Sequence, residues 1–388
     1  MIAKLARFNW LMFLAMTALV AVGTVAIWSA GNARAEAVFH GMWKANLVTA
    51  GVGMIAYFTL AFADYRKILE LLSLPAYIVA VILLTAVLIF GDEIYGGRRW
   101  LWFFQPSEIS KLCILMFMAQ LLGREGSRFA GCSWRGFFAV SAIVAVPALL
   151  ILAEPDLGTT LTLVPAAVLV MFVARVWRRG LAVMLAAAAL AASALLAAVH
   201  EAEKPGVSPE RREAILRYVP LKDHQINRVK VFLFPHEDLL GAGYNLRQAK
   251  ISIGSGGFSG KGLGKGETNH LKYLPQAISM NDFIFCVYAE ETGFVGSSAL
   301  LVLFGLLLVP AAWVAYRSPD TRGRLLALGI STLVFAHVYI NIAMSIGLVP
   351  ITGLPLPFIS SGRTFLLTVM AGLGLVQSIS IHREEKTA

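Results

Sequence analysis

The sequence predicts an all-α integral membrane protein of about ten transmembrane helices with one large extracytoplasmic loop. Three observations carry that reading. Only 14% of the 388 residues are charged, against about a quarter in a soluble globular domain. Hydrophobic residues make up 58%, and mean hydropathy is +0.72. Apolar runs recur along the chain, each near the ~20 residues needed to cross a ~30 Å hydrocarbon core. The same composition excludes a disordered chain. The three cysteines, Cys113, Cys132 and Cys286, do not form a disulfide framework and read as packed or free thiols. Net charge is +10, which in so apolar a chain suits membrane topology and an anionic substrate better than nucleic acid.

The runs are 9–30, 46–63, 73–91, 106–123, 136–153, 157–175, 180–200, 283–312, 325–347 and 364–381. The first follows Lys4 and Arg7 and precedes Ala33-Arg34-Ala35, which looks like a signal-peptide cleavage site. Its apolar core exceeds the ~7–15 residues of a signal peptide, so it is expected to remain as a span. With the N-terminus inside, inner segments hold fifteen Lys/Arg and the short outer loops hold five. The positive-inside rule therefore puts both termini in the cytoplasm. The chain reads as a single polytopic domain, 1–388, with segment 201–282 outside.

That segment is too long for a structureless connector. Glu201 to Glu213 is charged and expected to be mobile. The stretch from Gly241 through Gly257 into Gly260-Lys-Gly-Leu-Gly-Lys-Gly266 is dense in glycine and carries Lys261 and Lys265. Glycine lets backbone approach an anion closely, but no Walker pattern is present, and tight turns at the membrane surface are the stronger reading.

Polar residues inside spans are costly to bury and mark function or specific pairing. Glu108 and Lys111 share a helical face at i, i+3; they form either a structural ion pair or the wall of a polar cavity. Glu154-Pro-Asp156 separates two spans and sets two carboxylates at the outer surface. Glu290 and Glu291 lie about two turns into the eighth run, one expected to line a cavity and the other to be paired. His337 and Asn341, at i, i+4, read as a packed, hydrogen-bonded pair. Asp282 stands where the polar loop meets the membrane. A carboxylate there is partly desolvated, its pKa is pushed up, and it suits a general base; it serves equally as an N-cap. Finally, Pro350 to Arg363 is apolar, proline-rich and outside a helix, which membrane depth tolerates only in buried or cavity-lining backbone.

Several motifs in order resemble the SEDS family of RodA and FtsW. They begin with Arg99-Trp-Leu, Gln105-Pro-Ser-Glu-Ile-Ser-Lys111 and Glu154-Pro-Asp-Leu-Gly-Thr-Thr160. Next come Gly243-Tyr-Asn-Leu-Arg-Gln-Ala-Lys-Ile251, Gly254-Ser-Gly-Gly257 and Gly260-Lys-Gly262. Leu274-Pro275, Asp282-Phe-Ile-Phe285, Ala289-Glu-Glu-Thr-Gly293 and Gly353-Leu-Pro-Leu-Pro-Phe358 complete the set. The similarity covers nearly the whole chain, and Ile253-Gly-Ser-Gly-Gly257 with Gly260-Lys-Gly262 brings it closest to RodA, the elongation-type, rod-shape-determining member. The resemblance implies a peptidoglycan glycosyltransferase of cell-wall biogenesis. Such an enzyme polymerises lipid II, a disaccharide-peptide on undecaprenyl pyrophosphate, at the outer face of the inner membrane. It also implies a class B penicillin-binding protein as the crosslinking partner.

The family's essential loop aspartate falls on Asp282, and its Glu and Lys of the fourth span fall on Glu108 and Lys111. Asp282 would act as base, with Lys111, Arg99, Arg228, Lys261 and Lys265 as candidates to meet the pyrophosphate. The chemistry admits a divalent cation, Mg2+ or Mn2+, for which the sequence shows no ligand set; no organic cofactor is implied. Two features depart from the family. Pro275 to Asp282 is two residues longer and lacks the usual Glu and His. The last motif reads Ser360-Ser-Gly-Arg363 where Ser-Tyr-Gly-Gly is usual. Two other readings use the same spans: a lipid II flippase, which needs no base, and a non-catalytic scaffold for wall assembly.

Overall fold

A computed structural model describes residues 6–32, 37–94, 97–102, 104–124, 126–127, 129, 134–204, 206–219, 223–234, 238, 241–271 and 273–383. Ala33-Arg34-Ala35, Cys132 and the side chains of Gln276 and Ala277 lie outside what is described.

The long helices are α1 (Trp10–Asn32), α2 (Met42–Phe62), α3 (Tyr65–Phe90), α4 (Pro106–Gly123), α5 (Trp134–Ala153), α6 (Leu157–Val173) and α7 (Arg178–Ala202). The loop contributes α8 (Pro209–Leu216), α9 (Asp223–Leu233) and α10 (Ala242–Ser255), and three more long helices follow: α11 (Ile284–Arg317), α12 (Thr321–Ser345) and α13 (Arg363–Ile381). Among the described residues, eight helices are long and apolar enough to cross a membrane: α1, α2, α3, α5, α7, α11, α12 and α13. The 18-residue α4 carries Glu108 and Lys111, and the 17-residue α6 is shorter. All ten lie on the apolar runs read from the sequence.

In α13, 89% of the apolar stretch is buried, against 6% in α7, so α13 is central and α7 peripheral. α13 packs along α2, and a Cβ at Gly374 would stand 2.6 Å from the Tyr57 carbonyl oxygen. Small residues permit that close helix approach where lipid leaves no hydrophobic drive between helices. α12 packs against α4, α6 and α11, while α11 lies along α1.

Outside the bundle, a two-stranded antiparallel hairpin, β1 (Asp92–Ile94) and β2 (Gly97–Trp100), links α3 to α4 and carries Arg99. The described residues 201–204 and 206–213 are structured, contrary to the mobility expected from their charged composition. Ser208 caps α8 by accepting from the Arg211 N–H at 3.3 Å. The buried Glu203 pairs with Arg212 and Lys230, each at 2.7 Å, tying α8 and α9 to the end of α7. The expected glycine loop is also partly helical: residues 242–255 form α10, with Gly243, Leu246, Ala249 and Ser252 buried at a three-residue spacing.

Candidate active site

The Pro350–Gly362 segment runs through the bundle as a buried strap. Leu354, Leu356, Phe358, Ile359 and Ser360 are all at most 3% exposed. Several of its backbone polar groups are bonded, as membrane depth demands. Asn341 Nδ2 donates to the Leu354 carbonyl at 2.6 Å. Arg228 Nη1 donates to the Thr352 carbonyl at 3.1 Å, and the Leu356 N–H donates to Ser360 Oγ at 2.8 Å. Ser360 Oγ donates in turn to the Asn281 carbonyl at 2.6 Å, and Ser361 Oγ donates to Asn281 Oδ1. The strap is thus bonded to the residue preceding Asp282.

Asp282 lies between a short turn of helix, Gln276–Met280, and the start of α11. Its N–H donates to the Ile278 carbonyl at 3.0 Å, and its own carbonyl accepts from Asn341 Nδ2 at 2.9 Å. Phe283, not Asp282, occupies the N-cap of α11, and no side-chain cap bond is made there. The capping role is therefore not what this carboxylate does. Its neighbour is Gly353, at φ +74°: a Cβ there would stand 3.4 Å from Asp282 Oδ2 and 4.0 Å from Arg228 Nη2. A left-handed glycine in the strap thus leaves the carboxylate and the guanidinium uncrowded by a side chain. Burial raises the Asp282 pKa to about 6, opposed by Arg228 and Arg99 and reinforced by Asp156. At neutral pH the carboxylate is largely ionised yet poised to take a proton.

Arg99 reaches the same place from the hairpin. Its Nε donates to the Glu154 carbonyl at 3.2 Å and its Nη2 to the Pro155 carbonyl at 2.5 Å. Arg228 has its pKa lowered by burial and by Arg99, and raised by Asp282 and Asp156. Two guanidinium groups close enough to repel form an electrostatic site that an anion relieves.

The Glu154-Pro-Asp156 turn differs from expectation, because both carboxylates are buried. Asp156 is the N-cap of α6: it accepts from the Thr159 N–H at 3.1 Å, Thr159 Oγ1 at 2.7 Å and Gln105 Nε2 at 3.0 Å. Glu154 has neither carboxylate oxygen hydrogen-bonded among the described residues. Burial and the Asp156 charge push its pKa up to about 9, against Arg99, so it is neutral at pH 7.

Glu108 and Lys111 form the expected ion pair, at 2.9 Å, with side chains 4% and 0% exposed. Lys111 Nζ also donates to His337 Nε2 at 2.8 Å and lies 5.3 Å from the Phe365 ring centre. The pair is buried against His337 of α12 and Phe365 of α13. His337 and Asn341 are packed and hydrogen-bonded, as read from their spacing, and their partners are Lys111 and Asp282.

The glycine–lysine loop folds onto α11. Lys261 Nζ pairs with Glu290 at 2.8 Å and Glu267 at 3.5 Å. Glu290 also accepts from the N–H groups of Glu267 and Thr268 and from Ser252 Oγ. Glu291 accepts from Ser29 Oγ at 2.6 Å. Both acids are thus buried and have hydrogen-bond or ion partners. α11 breaks at Gly293 (φ +67°), whose Cβ would lie 2.3 Å from the Gly260 nitrogen. Close backbone contact accounts for glycine at 260 and 293, and the Lys261 and Gly262 N–H groups already donate to the Glu290 and Glu291 carbonyls. Lys265 and Arg363 are exposed.

Of the sequence candidates, the structure brings Asp282, Arg99 and Arg228 together. It ties Glu108 and Lys111 to them through α12, and sets Lys261 and Lys265 in a separate loop contact. Asp156, Gln105 and Gly353 belong to the same centre. The run of matched motifs contains all three, but only the fold gives them their places.

The profile of the FtsW/RodA/SpoVE family, described as cell cycle proteins, matches residues 9–385. Peptidoglycan glycosyltransferase MrdB of Escherichia coli strain K12 is 35% identical over 379 residues, 96% of this chain and 93% of that one. Among solved structures, a chain of a peptidoglycan synthase complex that coordinates polymerization and crosslinking is 30% identical. It superposes with a TM-score of 0.74 over 98% of this chain and 99% of that one. Thermus thermophilus rod shape determining protein RodA is 25% identical, with a TM-score of 0.65 over 98% of each chain.

Proposed function

The chain belongs to the FtsW/RodA/SpoVE family of cell cycle proteins, and from this kinship we propose how its site makes glycan. The protein is a multi-pass membrane enzyme, a peptidoglycan glycosyltransferase. The acceptor lipid II offers its sugar 4-hydroxyl, and the donor lipid II carries pyrophosphate at its anomeric carbon. Asp282 accepts the hydroxyl proton as the new glycosidic bond forms and the anomeric carbon–phosphate oxygen bond breaks. Undecaprenyl pyrophosphate leaves with the bonding electrons. An α-linked donor giving a β-linked product requires a single inverting displacement.

The observation that carries this reading is the half-buried Asp282 carboxylate, with a pKa of about 6, set with Arg228 close to Gly353 of the strap. A base and a cation close to one strap glycine suit simultaneous proton removal and pyrophosphate stabilisation. Arg99 and Arg228 are the proposed pyrophosphate contacts. The enclosed Lys111 is balanced by Glu108 at 2.9 Å, so the pair is proposed to act as a fixed dipole in the packed bundle, not as a free cation. Lys261 is already neutralised by Glu290, so Lys265 is the loop cation left to meet a headgroup.

Among the described residues, no three His, Cys, Asp or Glu side chains converge as a metal-ligand set. Asp156 already accepts three hydrogen bonds, and Glu154 is neutral. The residues therefore do not fit a resident metal, and any Mg2+ or Mn2+ is proposed to arrive on the pyrophosphate.

The ten helices are proposed to be ten spans of the inner membrane, with both termini cytoplasmic and 201–282 outside. A class B penicillin-binding protein is the proposed partner; kinship to a chain solved within a peptidoglycan synthase complex supports this. Purified protein given labelled lipid II tests the reading. Glycan polymer in detergent is expected. Translocation between vesicle leaflets without polymer would instead mark a flippase.

A further inference from the structure

We infer that one turn of α12, from His337 to Asn341, is a positioning device that holds the buried Lys111 ammonium and the Asp282 backbone in fixed relation. The inference rests on the proposed roles of Lys111 and Asp282. Both side chains of the turn are fully buried, and being four residues apart they point from one helical face about 6 Å apart along the axis.

His337 Nε2 lies 2.8 Å from Lys111 Nζ. An ammonium only donates, so this nitrogen accepts, and the imidazole is the neutral Nδ1–H tautomer. The ring is held against Phe365, with centroids 4.3 Å apart, and the same Phe365 lies over the ammonium. Asn341 does the complementary work. Its Nδ2 donates to the Asp282 carbonyl at 2.9 Å and to the Leu354 carbonyl at 2.6 Å. Two carbonyl partners fix the amide with its NH2 toward the site, because the opposite flip would set three oxygens together. One side chain therefore joins the residue that bears the carboxylate to the strap that bears Gly353. The next polar side chain up the same face joins the Glu108–Lys111 pair to the same helix.

Such an arrangement fixes where the base and the buried cation stand without either positioning residue touching substrate. A rigid helical turn gives that relation a precision that a loop lacks.

The test uses purified full-length protein and labelled lipid II, with His337→Leu, His337→Gln, Asn341→Leu and the double Leu variant. Each Leu variant should lower kcat by ~10²-fold, the scale of misplacing a reacting group by about an ångström, while KM for lipid II stays near wild type. Gln offers an acceptor oxygen at similar reach, so His337→Gln should restore most of the rate. The double variant should be no worse than the poorer single one, because the two act as a unit. Wild type should show an acid limb in its pH–rate profile near the Asp282 pKa of about 6. Asn341→Leu frees the Asp282 segment toward water, so its limb should move to lower pH, with Arg228, Arg99 and Asp156 still setting the charge around it.

A merely structural role predicts a lower melting temperature and less active protein, with an unmoved limb and His337→Gln no better than Leu. That pattern, or wild-type kcat in both Leu variants, would overturn the inference while the wild type still makes polymer. A wild type that makes no polymer would instead overturn the functional reading itself, and this inference with it.

Discussion

Replacing Glu108 by Gln leaves the Lys111 ammonium facing a neutral amide where a carboxylate now stands 2.9 Å away. At an effective dielectric near 20, unit charges at that separation attract by about 6 kcal/mol. Desolvation of both ions consumes much of that gain, so breaking the pair from one side should cost about 3–5 kcal/mol. His337 still offers Lys111 an acceptor at 2.8 Å, which puts the cost toward the lower end. Adding Lys111→Met removes the stranded charge and replaces it with an apolar chain of similar volume. The double variant should therefore regain stability, to wild type or above it. Activity should not return with it, because the polar pair that His337 ties to the Asp282 helix turn is gone. Melting of the detergent-purified proteins and polymer formation from labelled lipid II, measured on all four members of the cycle, read both quantities. A Glu108→Gln protein that melts with the wild type would rule out a pair of this strength. A double variant that polymerises at the wild-type rate would make the pair purely structural.

The Asp282 pKa, raised from 3.8 to about 6, means that ionising it weakens the fold. That stability is present below pH 4 and lost as pH rises through 6, at most about 3 kcal/mol for a displacement of roughly two pH units. Asp282→Asn should thus melt higher than wild type at pH 8 and level with it near pH 4; a lower melt at pH 8 would contradict this. Gly353→Ala forces a left-handed φ of +74° on a residue with a Cβ and crowds the base. It should cost about 1–2 kcal/mol of stability and most of the activity, read by melting and polymer yield. Lys261→Ala leaves Glu290 short of its ion partner, and hydrogen exchange of residues 260–268 should rise while kcat changes little. Topology reporters after Ser73, Trp134, Arg179 and Arg322 should report cytoplasm, and one within 205–212 the outside; a cytoplasmic signal from the last would refute the outward placement of the site.

The helical spans were legible because a run of some twenty apolar residues is longer and less charged than the core helices of a soluble domain. The Glu108–Lys111 contact was legible from i, i+3 spacing, and the strap from apolar, proline-rich backbone that membrane depth must enclose. Other features depended on distant partners. Nothing local says that Asp156 would turn inward, since its cap bond uses Thr159 but its second oxygen meets Gln105 from another part of the chain. Spacing read His337 and Asn341 as a packed pair, but their partners lie 226 and 59 residues away. α10 was hidden by its glycines, although the buried Gly243, Leu246, Ala249 and Ser252 follow a helical spacing. Lys261 shows the opposite case: a lysine among glycines suggests an anion site, and tertiary structure commits it to Glu290.

If Asp282 takes the acceptor proton, its Asn variant must lose that step and little else. Asn keeps the shape of Asp and cannot accept a proton. Purified Asp282→Asn should remain folded, bind lipid II as the wild type does, and form glycan ~10²–10⁴-fold more slowly. Glycan formation at the wild-type rate would contradict this role and place the base elsewhere.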